Sequence, residues 1–158
     1  MQPDIISVNL SLKQREKICT LLHTLLASTY ALYLKTQNYH WNVTGPQFQT
    51  FHLMFQGQYE ELAEAIDEIA ERIRALGYFP TGSFESFSKI SLIKGEKGRP
   101  KALEMIQCLL SDHETLVQYL REHLPFVEKE EDGATADFIN KRLATHEKTA
   151  WMLRSTLT

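Results

Sequence analysis

The stretch HLMFQGQYEELAEAIDEIAERIRAL, from His52 to Leu76, predicts a helix with two distinct faces, one apolar and one rich in potential metal ligands. At about 100° per residue, one apolar stripe is typical of a bundle core: Phe55, Leu62, Ile66, Ile69, Ile73 and Leu76. Beside it runs a second stripe of potential metal ligands: His52, Gln56, Glu60, Asp67 and Glu71. The small residues Ala63 and Ala70 are interleaved with these ligands, so another helix could approach this face.

Around this stretch, the chain divides into four long segments rich in good helix formers and separated by prolines. They run from about Leu12 to His40, from Gln47 to Leu76, from Pro100 to just before Pro125, and from Asp132 or Thr135 to about Leu153. Ser11 and Gln14 form a predicted capping box for the first helix, and Gly77 is the predicted end of the second. With no convincing strand, the predicted fold class is all-α, a four-helix bundle.

The connection lengths restrict the topology of this bundle. Only Trp41 to Pro46 separates the first two helices, which predicts antiparallel neighbours. The second link, from Tyr78 to Gly98, could reach roughly 70 Å, whereas the helices are about 45 Å long. It can therefore cross the whole bundle, and its segment SFESFSKISLI predicts a short extra helix within the crossover. One such crossover is the ferritin-like arrangement of four helices.

Composition limits the class of protein. The chain has 158 residues, 43% of them hydrophobic, which is enough to bury one core, so residues 1–158 are predicted to form a single domain. No run approaches the roughly 18 apolar residues of a membrane span, and no signal peptide is expected. Cys19 and Cys108 are predicted free thiols, which suits a reducing, cytoplasmic location. The net charge of −3 provides no general attraction to nucleic acid.

The spacing of the ligand stripe predicts a site shared between two chains. His52 and Asp67 are 15 residues apart, which is about 22 Å along the helix axis but only about 60° around it. One metal ion cannot contact both within a chain. If the helix packs antiparallel on a second copy, His52 comes opposite Asp67 and Glu71 of the other chain, and a two-fold contact repeats this twice. His40, at the end of the first helix, is placed to join His52.

Each element of this stripe also has an ordinary interpretation. A His and a Gln one turn apart, or an Asp and a Glu, are common on solvated helices, and His40 alone would be a turn histidine. It is the combination that favours a metal site, since imidazole with carboxylates suits ferrous iron. None of the six histidines has a Glu three residues before it, which argues against the Glu-x-x-His site of full-size di-iron bundles.

Three segments resemble the Dps family of miniferritins. They are YHWNVTGPQFQTFH (39–52), DEIAERIRALG (67–77) and HEKTAWML (146–153), and the resemblance extends over nearly the whole chain. It implies a homo-dodecamer built on two-fold dimers. Such a shell oxidises ferrous iron, preferably with hydrogen peroxide, and stores the ferric mineral, which protects against oxidative damage.

The resemblance also implies a set of site residues. His40, His52, Asp67 and Glu71 match the family's iron ligands, the last two acting from the partner subunit, and these four are the predicted catalytic residues. Gln56 occupies a position that is usually Asp or Glu, and Glu60 could supply a compensating carboxylate. We therefore expect two iron positions per centre, one of them weak, with zinc possible as a substitute.

An acidic run between the third and fourth helices is a candidate pore: Glu128, Glu130, Glu131 and Asp132, followed by Asp137. The resemblance implies that carboxylates in this region line three-fold channels for iron entry, with Asp137 the better match and Glu128 the weaker one. On composition alone, a solvated loop is the favoured interpretation of the run.

Two rival functions have different signatures. A nucleoid protein that coats DNA needs a basic arm, but the first basic residue is Lys13 and only STLT follows Arg154. DNA binding is thus predicted to be weak or absent, with nucleoid association left open. A shell whose centre is weakened by Gln56 would be mainly structural and would hold zinc or little metal.

Overall fold

The computed structural model describes residues 3–158 and contains five helices. They are α1 (Leu12–Asn42), α2 (Phe48–Ala75), α3 (Phe84–Ile90), α4 (Ala102–Lys129) and α5 (Gly133–Thr156). The described residues contain no strand, so the predicted all-α class is confirmed. None of the helices within residues 3–158 is long and apolar enough to cross a lipid bilayer.

The four long helices form the predicted one-crossover bundle, in which α1 packs on α2 and α4, and α4 packs on α5. The direction of α4 follows from two contacts along α1. Gln14 donates to the Glu130 carbonyl at one end, and Lys35 pairs with Asp112 further along, so α1 and α4 are antiparallel. Because α2 and α5 are each antiparallel to their hairpin partners, α2 runs parallel to α4 and antiparallel to α5.

The crossover is held against α1 by its own short helix. α3 is capped by Ser83, whose hydroxyl accepts from the Ser86 amide at 3.2 Å, and it buries Phe87 against the core. The following strand-like segment is fixed where the Leu92 amide donates to the Ser28 hydroxyl at 3.0 Å. These contacts explain how a long connection stays ordered while it spans the bundle.

Both predicted signals at the ends of the first helical hairpin are present. The Gln14 amide donates to the Ser11 hydroxyl at 3.3 Å, and the Ser11 amide donates to Gln14 Oε1 at 2.9 Å, completing the capping box. Gly77 adopts a φ of 83° after α2, a conformation that favours glycine. A Cβ there would lie 2.8 Å from the Arg15 guanidinium, which donates to the Leu76 carbonyl. Any larger residue would therefore disturb this helix end.

The predicted end of the third long helix is wrong, because α4 continues through Pro125 to Lys129. Pro125 cannot donate to the preceding turn, but its ring is exposed. Beyond it, Val127 is buried in the core, and the Glu130 carbonyl accepts from Gln14 of α1. This tertiary anchoring outweighs the loss of one helical hydrogen bond. The core stripe of α2 is as predicted except for Ile66, which is only half-buried.

Candidate metal centre

His40 and His52 meet at the linked end of the α1–α2 hairpin, where α1 ends and α2 begins. Their rings stack with centroids 3.7 Å apart and an angle of 21° between the planes. Nδ1 of each ring lies 2.8 Å from the backbone carbonyl oxygen of the other residue, so the two contacts are reciprocal. The five residues that link the helices bring these side chains together, although they are 12 positions apart in the sequence.

The reciprocal contacts determine which ring nitrogen is available. A carbonyl oxygen can only accept, so Nδ1 of each neutral ring must carry the proton and donate it. Nε2 of both His40 and His52 then retains its lone pair. A backbone carbonyl that holds Nδ1–H in this way is the usual outer contact of a metal-binding histidine. Nε2 is therefore the atom of each ring that a metal ion could bind.

The acidic half of the predicted site lies further along α2. Asp67 and Glu71 are both exposed, and neither forms a salt bridge with any residue in 3–158. Within the same residues, no three His, Cys, Asp or Glu side chains come together in a way that could hold a metal ion. His52 and the two carboxylates therefore share one face of α2, but within one chain the histidine pair and the carboxylates do not meet.

Three ion pairs to α5 hold the opposite side of α2. Arg142 pairs with Glu61, Lys141 with Glu68, and Arg72 with Asp132. Glu61, Glu68 and Arg72 lie on a different side of α2 from the stripe of potential metal ligands. That stripe therefore does not face α5 of its own bundle. The pairs fix the rotation of α2, so the exposed carboxylates of Asp67 and Glu71 point away from the bundle.

Gln56 and Glu60 interact with each other one turn apart on the ligand stripe. Gln56 Nε2 donates to Glu60 Oε1 at 2.8 Å. This contact uses the amide nitrogen, so Gln56 Oε1 is the atom left to face a metal ion. An amide oxygen carries no net charge and attracts a cation less strongly than a carboxylate does.

Two aromatic residues beside the histidine pair were not predicted from the sequence. The Tyr59 ring packs edge-on against His40 with a centroid distance of 5.2 Å, and Phe48 packs on His52 at 5.1 Å. Tyr59 lies seven residues after His52, which places it on the same face of α2, and this spacing was the available signal. The apolar contacts restrict both imidazole rings to one orientation.

The predicted pore residues have two different environments. Glu128 and Asp137 are exposed; Glu128 lies at the end of α4 and Asp137 in the second turn of α5. Asp132, in contrast, is only 4% exposed and caps α5 by accepting from the Thr135 amide at 3.1 Å. Burial raises its pKa, but the hydrogen bonds from Thr135 and Arg72 outweigh this and leave the pKa below its usual value. The interpretation of the acidic run as a solvated loop is therefore wrong for Asp132.

A second pair of histidines, one on α4 and one on α5, is buried between the helices. Nδ1 of His113 lies 2.9 Å from Nδ1 of His146, and Arg142 lies 3.3 Å from Nε2 of His146. Burial, and then the Arg142 charge, lower the pKa of His113 to about 3. No sequence pattern pairs these residues, which are 33 positions apart.

Comparison with known proteins agrees with this architecture. The family described as "Ferritin-like domain" matches residues 19–158. The chain is 43% identical to a low temperature-induced protein of Nostoc sp., over 95% of this chain and 85% of the relative. It is 34% identical to DNA protection during starvation protein 2 of Bacillus anthracis, over 90% of this chain and 97% of the relative.

Among solved structures, the Dps protein of Vibrio cholerae O1 superimposes with a TM-score of 0.92 and 30% identity, covering 100% of this chain and 98% of that one. That protein is described as a member of a broad superfamily of ferritin-like diiron-carboxylate proteins. The bundle, its crossover helix and the domain match define the class as ferritin-like. Within that class, the chain belongs to the Dps family of miniferritins.

Proposed function

We propose that this protein is an iron-oxidising and iron-storing miniferritin that protects against oxidative damage. Iron storage and DNA protection are the general roles of its family. The observation that carries the proposal is the histidine pair: a backbone carbonyl lies 2.8 Å from each Nδ1, which leaves each Nε2 for a metal ion, and His52 lies on the α2 face that also carries Asp67 and Glu71.

The separation of histidines and carboxylates along α2 supports a centre between subunits. In an antiparallel contact between two copies of α2, His40 and His52 of one chain face Asp67 and Glu71 of the other, twice per dimer. Ala63 is exposed on this face and offers little steric resistance to a second helix. Each complete centre then has two neutral nitrogen and two anionic oxygen ligands, a donor set that suits ferrous iron.

Hydrogen peroxide is the oxidant that we propose for this centre. Peroxide accepts two electrons, and two ferrous ions supply them: one peroxide, two ferrous ions and two protons give two ferric ions and two water molecules. Holding both ions at one centre avoids the release of a hydroxyl radical. His40, His52, Asp67 and Glu71 act as the catalytic ligands, while Gln56 and Glu60 contribute to the second position.

At the level of assembly, we propose that residues 1–158 form one domain and that twelve copies form a closed cytoplasmic shell. Glu128 and Asp137 are exposed near the α4–α5 corner. If this corner surrounds a three-fold axis, rings of these carboxylates would concentrate ferrous ions by electrostatic attraction. Sedimentation should then give a dodecamer, and a stable monomer with fast iron oxidation would contradict the assembly.

Anaerobic titration with ferrous iron, followed by peroxide, tests the oxidation directly. We expect saturable ferrous binding, and then a rapid rise in ferric absorbance with one peroxide consumed per two iron ions. Zinc loaded beforehand should slow the reaction, since it competes for the same nitrogen and oxygen ligands. Ferric formation no faster than in a protein-free control would contradict the ferroxidase proposal.

DNA coating is the alternative suggested by the names of relatives. The net charge of −3 provides no general attraction to phosphate, so we propose weak or absent DNA binding. A plasmid mobility shift at physiological salt and neutral pH would contradict this.

A further inference from the structure

A row of tyrosine rings leads away from the histidine pair. The Tyr59 ring lies 5.2 Å from His40, the Tyr33 ring 6.0 Å from Tyr59, and the Tyr30 ring 5.8 Å from Tyr33. The contacts are edge-to-face, with interplanar angles of 76°, 86° and 62°, and lie within the range of about 4.5–7 Å for packed aromatic pairs. We refer to Tyr59, Tyr33 and Tyr30 as the tyrosine row.

The helical spacing explains how these rings come into line. Tyr30 and Tyr33 are three residues apart on α1, and His40 follows seven residues later on the same face. Tyr59 reaches them from α2, between His40 and Tyr33. The row therefore runs along the α1–α2 hairpin, where all three rings are half-buried, and is fixed by the packing of two long helices.

The far end of the row opens to solvent. Tyr30 lines a groove of about 450 Å³ between α1 and the crossover. The next aromatic neighbours of Tyr30 are Phe84 and Phe87, whose rings have no phenol group to oxidise. The oxidisable part of the row therefore begins at the histidine pair and ends at an accessible groove.

In the proposed iron oxidation, a centre that holds only one iron ion needs a second electron donor. Peroxide takes two electrons, whereas one ferrous ion supplies only one. With the neutral amide of Gln56 where a carboxylate is usual, the second iron position is weaker, and centres that hold a single iron will meet peroxide. Without another donor, this one-electron reaction releases a hydroxyl radical inside the protein.

We propose that Tyr59 supplies the second electron at singly occupied centres, and that Tyr33 and Tyr30 carry the resulting radical to the groove. This inference rests on the proposed iron oxidation. One peroxide, one ferrous ion, the Tyr59 phenol and one proton from solvent give two water molecules, one ferric ion and the neutral tyrosyl radical. The phenolic proton and the solvent proton both end in water. A thiol at the groove then returns a hydrogen atom to Tyr30 and leaves as a thiyl radical.

Rapid-freeze electron paramagnetic resonance tests this assignment. The wild-type shell is loaded anaerobically with one ferrous ion per centre, mixed with an equal amount of hydrogen peroxide, and frozen over a time course. A spin trap added to parallel samples reports hydroxyl radical, and optical absorbance reports ferric iron. Tyr59→Phe removes only the hydroxyl group and keeps the ring that packs on His40. Tyr78→Phe is the matched control, because its ring lies at the other end of the hairpin.

We expect a transient tyrosyl signal in the wild type and in Tyr78→Phe. Tyr59→Phe should lose that signal and trap more hydroxyl radical, while its initial ferric yield with two iron ions per centre is unchanged. Tyr33→Phe should retain the radical on Tyr59 and prolong its lifetime. Fast iron oxidation without a tyrosyl signal in the wild type, or an unchanged signal in Tyr59→Phe, overturns the inference alone. No iron oxidation by the wild type overturns the proposed function and this inference with it.

Discussion

Two histidine pairs in this molecule show how the environment of a ring nitrogen decides its chemistry. His40 and His52 join α1 to α2, and His113 and His146 join α4 to α5. In the first pair, each Nδ1 is held by a backbone carbonyl, so each Nε2 keeps its lone pair. In the second pair, the two Nδ1 atoms bond to each other and the rings are buried.

The hydrogen bonds of the buried pair leave it no lone pair for a metal ion. Arg142 can only donate, so Nε2 of His146 accepts, and the proton of His146 lies on Nδ1. That proton is donated to Nδ1 of His113, whose own proton must then lie on Nε2. The same residue type is therefore arranged for ligation at one site and for structural hydrogen bonding at the other.

The largest effect, on iron oxidation, is expected from removing a ligand of the proposed centre at His40 and His52. His52→Ala removes one nitrogen ligand from each of the two centres of a dimer, and Asp67→Ala removes one carboxylate from each. Either substitution should abolish fast ferric formation in the anaerobic iron and peroxide assay.

Mixed dimers of these two variants sharpen the test. One centre then lacks both residues, but the other combines His52 of one chain with Asp67 of its partner and is intact. Mixed dimers, verified by mass spectrometry, should regain fast oxidation at about half of the centres. No recovery would contradict the shared centre.

Breaking the second pair should affect stability rather than iron oxidation. His146→Ala leaves a cavity and removes the partners of His113 and Arg142, so we expect a loss of about 3 kcal/mol in the free energy of unfolding. His123→Ala is the control, since that ring is half-buried and its Nδ1 contacts the local Tyr119 carbonyl of the same helix. Denaturant unfolding measures both. A loss of fast iron oxidation in folded His146→Ala would contradict the structural role.

The pH dependence of stability should also distinguish the pairs. An unfolded histidine binds a proton near pH 6.5, but burial and the Arg142 charge lower the pKa of His113 to about 3 in the folded state. Between these values the unfolded chain holds more protons, so stability falls as the pH decreases. His113→Gln should reduce this slope by up to about 1.4 kcal/mol per pH unit. An unchanged slope, measured by denaturant unfolding at several pH values, would show that His113 is not the titrating group.

Much of the fold could be predicted because its signals are local. Prolines and glycines mark the helix ends, Ser11 and Gln14 cap α1 as expected, and the length of the crossover requires a bundle-spanning path. The end of α4 could not be predicted in this way. Its continuation through Pro125 depends on contacts with α1, and the contact between Gln14 and Glu130 joins residues 116 positions apart.

The candidate site was predictable as a set of residues but not as an arrangement of atoms. Spacing on one helix predicted that His52 and Asp67 share a face, and the proposal of a second chain rests on that spacing. The proton positions on His40 and His52 depend on backbone carbonyls that meet only when the hairpin closes. The burial of Asp132 likewise depends on Arg72, 60 residues away, which no local pattern reveals.

The smallest effect is expected at Gln56, beside the first histidine pair. Its amide nitrogen donates to Glu60, which leaves the neutral Oε1 for the proposed second iron position. Gln56→Asp places a negative charge near His40 and His52, and it should raise iron occupancy at the weaker position severalfold without changing the assembly. Glu60→Gln, in contrast, removes the neighbouring carboxylate and should lower that occupancy. Ferrous titration of both variants, with sedimentation as the assembly control, measures the difference. If binding and oxidation are the same in wild type and both variants, the second position is not weakened, and the need for an extra electron from Tyr59 is removed as well.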